Sequence, residues 1–162
     1  MKNKSKFHKI YLAAPLFNPM ERDRNMNYAT KLTEAGFEVF IPQVHSGEAK
    51  LKDSREETER QDIFRRDVSG VVDSDIVVAL VNGRVPDEGT CFELGLAYAM
   101  DKVIIVVNDD DRSFMDGHMN VMIGECVEGN LNSKYCNRFE QALKHLTLTK
   151  TFGSRKTELT EG

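Results

Sequence analysis

The densest candidate chemistry lies in the segment Asp87-Glu-Gly-Thr-Cys-Phe-Glu93-Leu-Gly95. Gly89 permits a sharp backbone turn, and Thr90 can cap a helix that follows it. Glu93 then falls at the third helical position, near the positive end of the helix dipole. A carboxylate stays ionised there, and a sugar or base can sit over the helix N-terminus. The same Thr90-x-x-Glu93 spacing is also a capping box, in which the glutamate only accepts a backbone N–H. Two further carboxylates favour chemistry. Asp67 sits in the second half of a helix leading into the third strand, a helix whose earlier residues lie toward the same sheet edge as Glu93. Asp87 hangs in the loop that enters the Glu93 helix. Three converging carboxylates supply a nucleophile, a proton donor and partners for sugar hydroxyls, the set that glycosidic-bond chemistry needs. Tyr11, on the first strand, either holds the nucleophile through its hydroxyl or fills the core as a strand aromatic. Asp62 and Asp73 read as solvated helix residues.

Other chemistries lack their residues. No GxGxxG follows the first strand and no GxxxxGK[ST] occurs, so neither phosphate cradle is supported. His8, His45, His118 and His145 are scattered without metal-ligand spacing. A Ser-His-Asp triad has no nucleophile elbow. The run Asp109-Asp110-Asp111-Arg112 has no partner cluster and reads as a solvated loop, while Met115, Met119 and Met122 read as gap-filling or a subunit contact.

The elements that must position the carboxylates are legible as apolar runs. Ile10–Ala14, Phe37–Ile41, Ile76–Val81 and Val103–Val107 are short, and three are nearly unbroken and β-branched, the mark of strands covered on both faces. Asn18-Pro19-Met20-Glu21 supplies an N-cap, a proline at the first helical position and a reaching-back glutamate for a helix that stops at Ala35-Gly36. Further helices are expected from Ser54-Arg-Glu-Glu57, from about Thr90 to Met100, and from Ser133 through Leu146. Pro42 to Lys52 reads as a long loop. Alternating strands and helices predict a right-handed, doubly wound α/β domain over residues 1–150, with a polar, frayed tail over 151–162. Ligands of such sheets bind outside the carboxyl ends of the strands. Ala14–Asn18, Pro42-Gln43, Asn82–Gly89 and Asn108–Asp111 occupy those ends.

Composition sets the outer bounds. The 162 residues suit one domain, with 40% hydrophobic and 30% charged residues as in an ordinary globular protein. A formal charge of −4 gives no sign of a nucleic-acid or anionic-membrane surface. Apolar runs are far shorter than the ~20 residues of a membrane helix. Met1–Lys9 is basic and polar, so no signal peptide is expected. Cys91, Cys126 and Cys136 show no CxxC spacing, which points to free thiols and a cytoplasmic location.

Taken together, Lys9-Ile-Tyr-Leu-Ala-Ala-Pro-Leu-Phe-Asn18, Asp67…Asp73-Ser-Asp75-Ile-Val-Val-Ala, Asp87-Glu-Gly-Thr-Cys-Phe-Glu93-Leu-Gly-Leu-Ala97 and Asn120-Val-Met122 resemble the nucleoside 2-deoxyribosyltransferase family, across about residues 8 to 146. The resemblance implies a flavodoxin-like parallel sheet of about five strands with helices on both faces, and a short fifth strand near Gly124–Val127. It implies that Glu93 is the nucleophile attacking C1′ of a 2′-deoxyribonucleoside. Asp67 would face the base and shuttle a proton, while Tyr11 orients the glutamate. Asp87 and Gly89 belong to the sugar site, and Phe17 and Gln43 line the base pocket. Asn120, with Met122 beside it, would reach a neighbouring subunit's sugar pocket, so a homo-oligomer is implied. The partners are deoxynucleosides and free nucleobases, with no nucleic acid, membrane, metal or organic cofactor.

Two departures bear on specificity. The polar end, Glu161-Gly162, lacks the C-terminal aromatic with which some relatives close the pocket. The first loop, Ala-Pro-Leu-Phe-Asn-Pro, also differs from bulkier or glycine-rich ones. The nearest rival is a 2′-deoxynucleoside 5′-monophosphate N-hydrolase, which commonly builds a phosphate cradle from Ser, Gly and Arg in that loop; here Arg22 and Arg24 come only later. A phosphoribohydrolase of the cytokinin type has Gly-Gly where this chain has Pro86-Asp87-Glu88. A non-catalytic nucleoside sensor is the remaining alternative.

Overall fold

The computed structural model describes residues 8–46, 57–83, 85–110 and 120–158. Four of the apolar runs form strands: β1 (Lys9–Ala13), β2 (Glu38–Phe40), β3 (Ile76–Leu80) and β4 (Val103–Val107). Every residue of β3 and β4 is buried, as a doubly covered strand requires. A fifth strand, β5 (Lys134–Cys136), completes an all-parallel sheet in the order β2-β1-β3-β4-β5. The chain leaves β1 toward one edge and returns beside it as β3. The order therefore reverses between β1 and β3, where a doubly wound sheet opens its crevice.

Alternation along β1 divides the core. Ile10 and Leu12 face α1 (Pro19–Glu34) and α6 (Phe139–Glu158), through Ala29, Leu32, Phe139, Ala142 and Leu146. Tyr11 and Ala13 face α3 (Glu57–Asp73) and α4 (Glu88–Ala99), through Val71, Leu94 and Ala97. Each fully buried Leu, Ile or Val contributes about 1.5–3 kcal/mol of transfer free energy. The α/β, flavodoxin-like expectation is met.

The start of α1 forms as its sequence dictates. Asn18 Oδ1 accepts the Glu21 N–H at 2.9 Å, Glu21 Oε2 accepts the Asn18 N–H at 3.2 Å, and Pro19 opens the helix. Gly36, at φ +87°, turns the chain into β2. Asp75, just before β3, accepts the backbone N–H groups of His8 and Lys9 and pins the entry to β1. Lys102 donates to the Val72 and Ser74 carbonyls at the end of α3.

Four expectations are corrected. Gly124–Val127 is not a strand: it holds the end of α5 (Val121–Gly124) and a 3₁₀ turn, Glu125–Val127. The fifth strand instead occupies Lys134–Cys136, so the last helix begins at Phe139 rather than Ser133. Three residues are too few to separate a period of 2 from one of 3.6, which is why Tyr135 read as helical. The loop after β2 opens with a short helix, α2 (Pro42–His45), and its residues 47–52 lie outside the described residues. The helix α6 continues to Glu158, past the boundary set for the tail. Ser54–Glu56, Asp111, Arg112, Met115, His118 and Met119 also lie outside the described residues.

Candidate active site

The α4 helix starts earlier than its sequence predicts. Asp87, not Thr90, is the N-cap: its Oδ2 accepts the Thr90 N–H at 2.9 Å and the Thr90 hydroxyl at 3.2 Å. Gly89 sits inside the first helical turn rather than at a sharp bend. Its missing side chain leaves room for the Asp87 carboxylate, since a Cβ there would lie 3.2 Å from Oδ2. Glu93 consequently falls in the second helical turn, beyond the reach of most of the dipole's stabilisation.

The capping-box reading of Glu93 fails on geometry. Its Oε1 accepts a hydrogen bond from the Tyr11 hydroxyl at 2.5 Å. Tyr11 is fully buried, its ring stacked on Phe40 at 5.3 Å between centroids, and Phe40 stacks on His45 at 4.6 Å. From the other side α3 approaches closely at Gly70, where a Cβ would come within 2.9 Å of both the Tyr11 and Phe40 rings. The phenol that holds Glu93 is therefore itself clamped. Tyr11 is thus a buried core aromatic whose hydroxyl donates to Glu93.

Electrostatics differ from the expectation of a permanently ionised glutamate. Burial, aided by the charges of Asp67 and Asp87, raises the Glu93 carboxyl to about 8 against the Tyr11 hydrogen bond, which pulls it down. Tyr11 is raised as well, first by burial and then by Glu93 and Asp67, so it stays a phenol that donates. Asp67 is half-buried and shifted up by burial, against the hydrogen bond that Ser46 Oγ donates to Oδ1 at 2.5 Å. Glu93, Asp67, Asp87 and Tyr11 thus form one coupled set. Ser46 escaped the sequence reading because nothing in a polar connection marks one serine from another.

The remaining candidates make contacts of their own. Gln43 is buried with its amide engaged: Oε1 accepts from Asn25 Nδ2 at 3.1 Å, and Nε2 donates to the Arg22 carbonyl at 3.0 Å. Phe17 is exposed on the first loop, its N–H held by Glu21. Asn120 caps α5, accepting the Met122 N–H at 3.0 Å. Met122 borders a groove of about 400 Å³ between α4 and α5, lined also by Cys91, Gly95, Tyr98 and Val121 but not by Glu93. Within one chain, the described contacts do not bring Asn120 or Met122 to the acid cluster. Asp109 is not a solvated loop residue: it accepts from the Tyr28 hydroxyl and from Asn82 Nδ2. Among the described residues no group of three metal-ligating side chains occurs, and no helix is long and apolar enough to cross a membrane.

A carboxylate pair with a phenolic orienter, at the edge of a doubly wound sheet, defines a class of site suited to covalent chemistry at an anomeric carbon. The nucleoside 2-deoxyribosyltransferase family model matches residues 10–146, and the chain belongs to that family. It is 32% identical over 130 residues to a nucleoside deoxyribosyltransferase of Limosilactobacillus fermentum, covering 74% of this chain and 76% of that one. The fold matches a 2-deoxyribosyltransferase of Bacillus psychrosaccharolyticus with a TM-score of 0.68 at 22% identity, covering 83% of this chain and 90% of that one. It also matches a CMP N-glycosidase of Clostridium botulinum with a TM-score of 0.56 at 21% identity, over 85% and 97% of the two chains.

Proposed function

We propose that the protein transfers 2-deoxyribose between nucleobases through a covalent ester on Glu93. The observation that carries this reading is the Tyr11–Glu93 hydrogen bond, which aims the carboxylate away from its own main chain. As the C1′–N bond breaks, its electron pair goes to the base and Asp67 gives the base a proton. A Glu93 oxygen bonds to C1′. In the second half an incoming base attacks C1′, returns its proton to Asp67 and frees the Glu93 carboxylate. In its ionised form Glu93 places a negative charge beside C1′ that stabilises the oxocarbenium-like transition state, and proton delivery adds about 10²–10⁴-fold. Burial that costs an isolated carboxylate its charge is offset once positive charge develops at C1′. Asp87 serves the sugar hydroxyls. Phe17 and Gln43 belong to the base side, Gln43 through the loop it holds.

Asn120 and Met122, which no described contact joins to the acid cluster of their own chain, complete the site of a second copy in this reading. The groove between α4 and α5, with Val121 and Met122 exposed beside it, is where that copy would sit. The reaction needs no metal or organic cofactor.

Incubation with deoxyinosine plus adenine, and with deoxycytidine plus adenine, tests the reading chromatographically. New deoxyadenosine supports transfer, whereas free deoxyribose alone assigns hydrolysis. One observation favours the second reading, a 5′-monophosphate N-hydrolase. Arg24 Nε and Nη2 on α1 are buried without a hydrogen-bond partner among the described residues, an arrangement that an anion would relieve. Turnover improved by a 5′-phosphate on the donor would favour that alternative.

A further inference from the structure

Ser46 follows α2, is buried, and lends its hydroxyl to Asp67 across the connection between β2 and α3. A donor on Oδ1 makes that oxygen the poorer place for a proton, so a protonated Asp67 carries its hydrogen on Oδ2. We propose that Ser46 is the positioning residue that fixes the Asp67 rotamer and reserves Oδ2 for the proton exchanged with the base. This assignment rests on the transferase reading above. In the first half-reaction the Oδ2 proton moves to a base nitrogen as the C1′–N electron pair collapses onto the base. In the second, a proton from the incoming base returns to Oδ2. The hydroxyl of Ser46 keeps its own proton throughout.

The ionisable groups coupled to Asp67 are Tyr11 from β1 and Glu93 from α4. Burial disfavours the Asp67 anion, and the Ser46 hydrogen bond favours it. Removing the hydroxyl moves the Asp67 titration up, leaving the proton less readily released and free to sit on either oxygen.

The test compares Ser46→Ala with the wild type on two donors. One is 2′-deoxyguanosine; the other is its N7-methylated form, whose base is already cationic and leaves without a proton. The alanine variant is expected to lose about tenfold in kcat/KM on the neutral donor. It should stay within about twofold on the cationic one, and the alkaline limb of the neutral-donor pH profile, where Asp67 loses the proton it must give, should move upward. Ser46→Thr restores the neutral-donor rate. If threonine is not accommodated, Ser46→Cys, a weaker donor of similar size, gives an intermediate loss on that donor alone. Equal losses on both donors, or none on either, overturn the assignment while leaving the Glu93 ester intact. A wild type that turns over neither donor overturns the transferase reading, and the role of Ser46 with it.

Discussion

The Tyr11 hydroxyl and the Glu93 carboxylate meet at 2.5 Å although 82 residues separate them in the chain. β1 supplies the phenol and α4 the acid. The β3–β4 crossover, which carries α4 over the sheet face that holds Tyr11, is thus as much a part of the site as either side chain. Burial on that face raises Glu93, and the phenol's hydrogen bond opposes the rise.

Replacing Tyr11 with phenylalanine removes that opposition and the aim it gives. The Glu93 titration should move above about 8, and kcat/KM for a deoxynucleoside should fall by about 10- to 100-fold near neutral pH. The loss should shrink as pH rises and the carboxylate is recovered. A pH–rate profile of the variant beside the wild type measures both effects.

Stability should carry the same signature. Glu93 titrates at about 4.5 in an unfolded chain and near 8 when folded, so its contribution is fully present below pH 4.5 and is lost as pH rises through 8. Glu93→Gln has no such loss. Thermal or urea unfolding across pH 5 to 8.5 should find the variant gaining on the wild type, by on the order of 3 kcal/mol at the alkaline end.

Gly70→Ala probes the clamp. A helix interior ordinarily gains from alanine, but here the new methyl would lie within 2.9 Å of two aromatic rings that β1 and β2 hold in place. The outcome expected is destabilisation by about 1–3 kcal/mol, read from a shifted denaturation midpoint, together with a lower kcat as Tyr11 is displaced.

Asp87 separates structure from charge. Asp87→Asn keeps an N-cap of equal quality, so the melting temperature should hold, whereas Asp87→Ala should cost about 1 kcal/mol. Both remove a charge that raises Glu93, so both should move its titration down. Both should also weaken deoxynucleoside binding if the proposed contact of Asp87 with the sugar hydroxyls holds. Calorimetric unfolding and KM measurements distinguish these effects.

Much of this frame was legible in the sequence, for identifiable reasons. β3 and β4 announce themselves because strands buried on both faces are continuous apolar runs, and α1 because Asn18, Pro19 and Glu21 form a complete start signal. β5 was not legible: its three residues gain their pairing from β4 and carry no period of their own. The α4 start was misplaced by three residues because Asp87 and Thr90 are both good caps, and only the fold decides between them. Glu93, Asp67 and Tyr11 stood out by type and place. The functions of Ser46 and Gly70 depend on what α3 packs against, which local spacing does not encode.

The proposed chemistry stands on a bond between one Glu93 oxygen and C1′ of a deoxyribosyl group. Mass spectrometry of enzyme mixed with a deoxynucleoside, acid-quenched within the first turnover and digested, tests it most directly. One added deoxyribosyl group is expected on the peptide holding Glu93, absent from Glu93→Gln. An enzyme that turns over donor with no adduct on that peptide, and whose glutamine variant transfers as fast as the wild type, would contradict it.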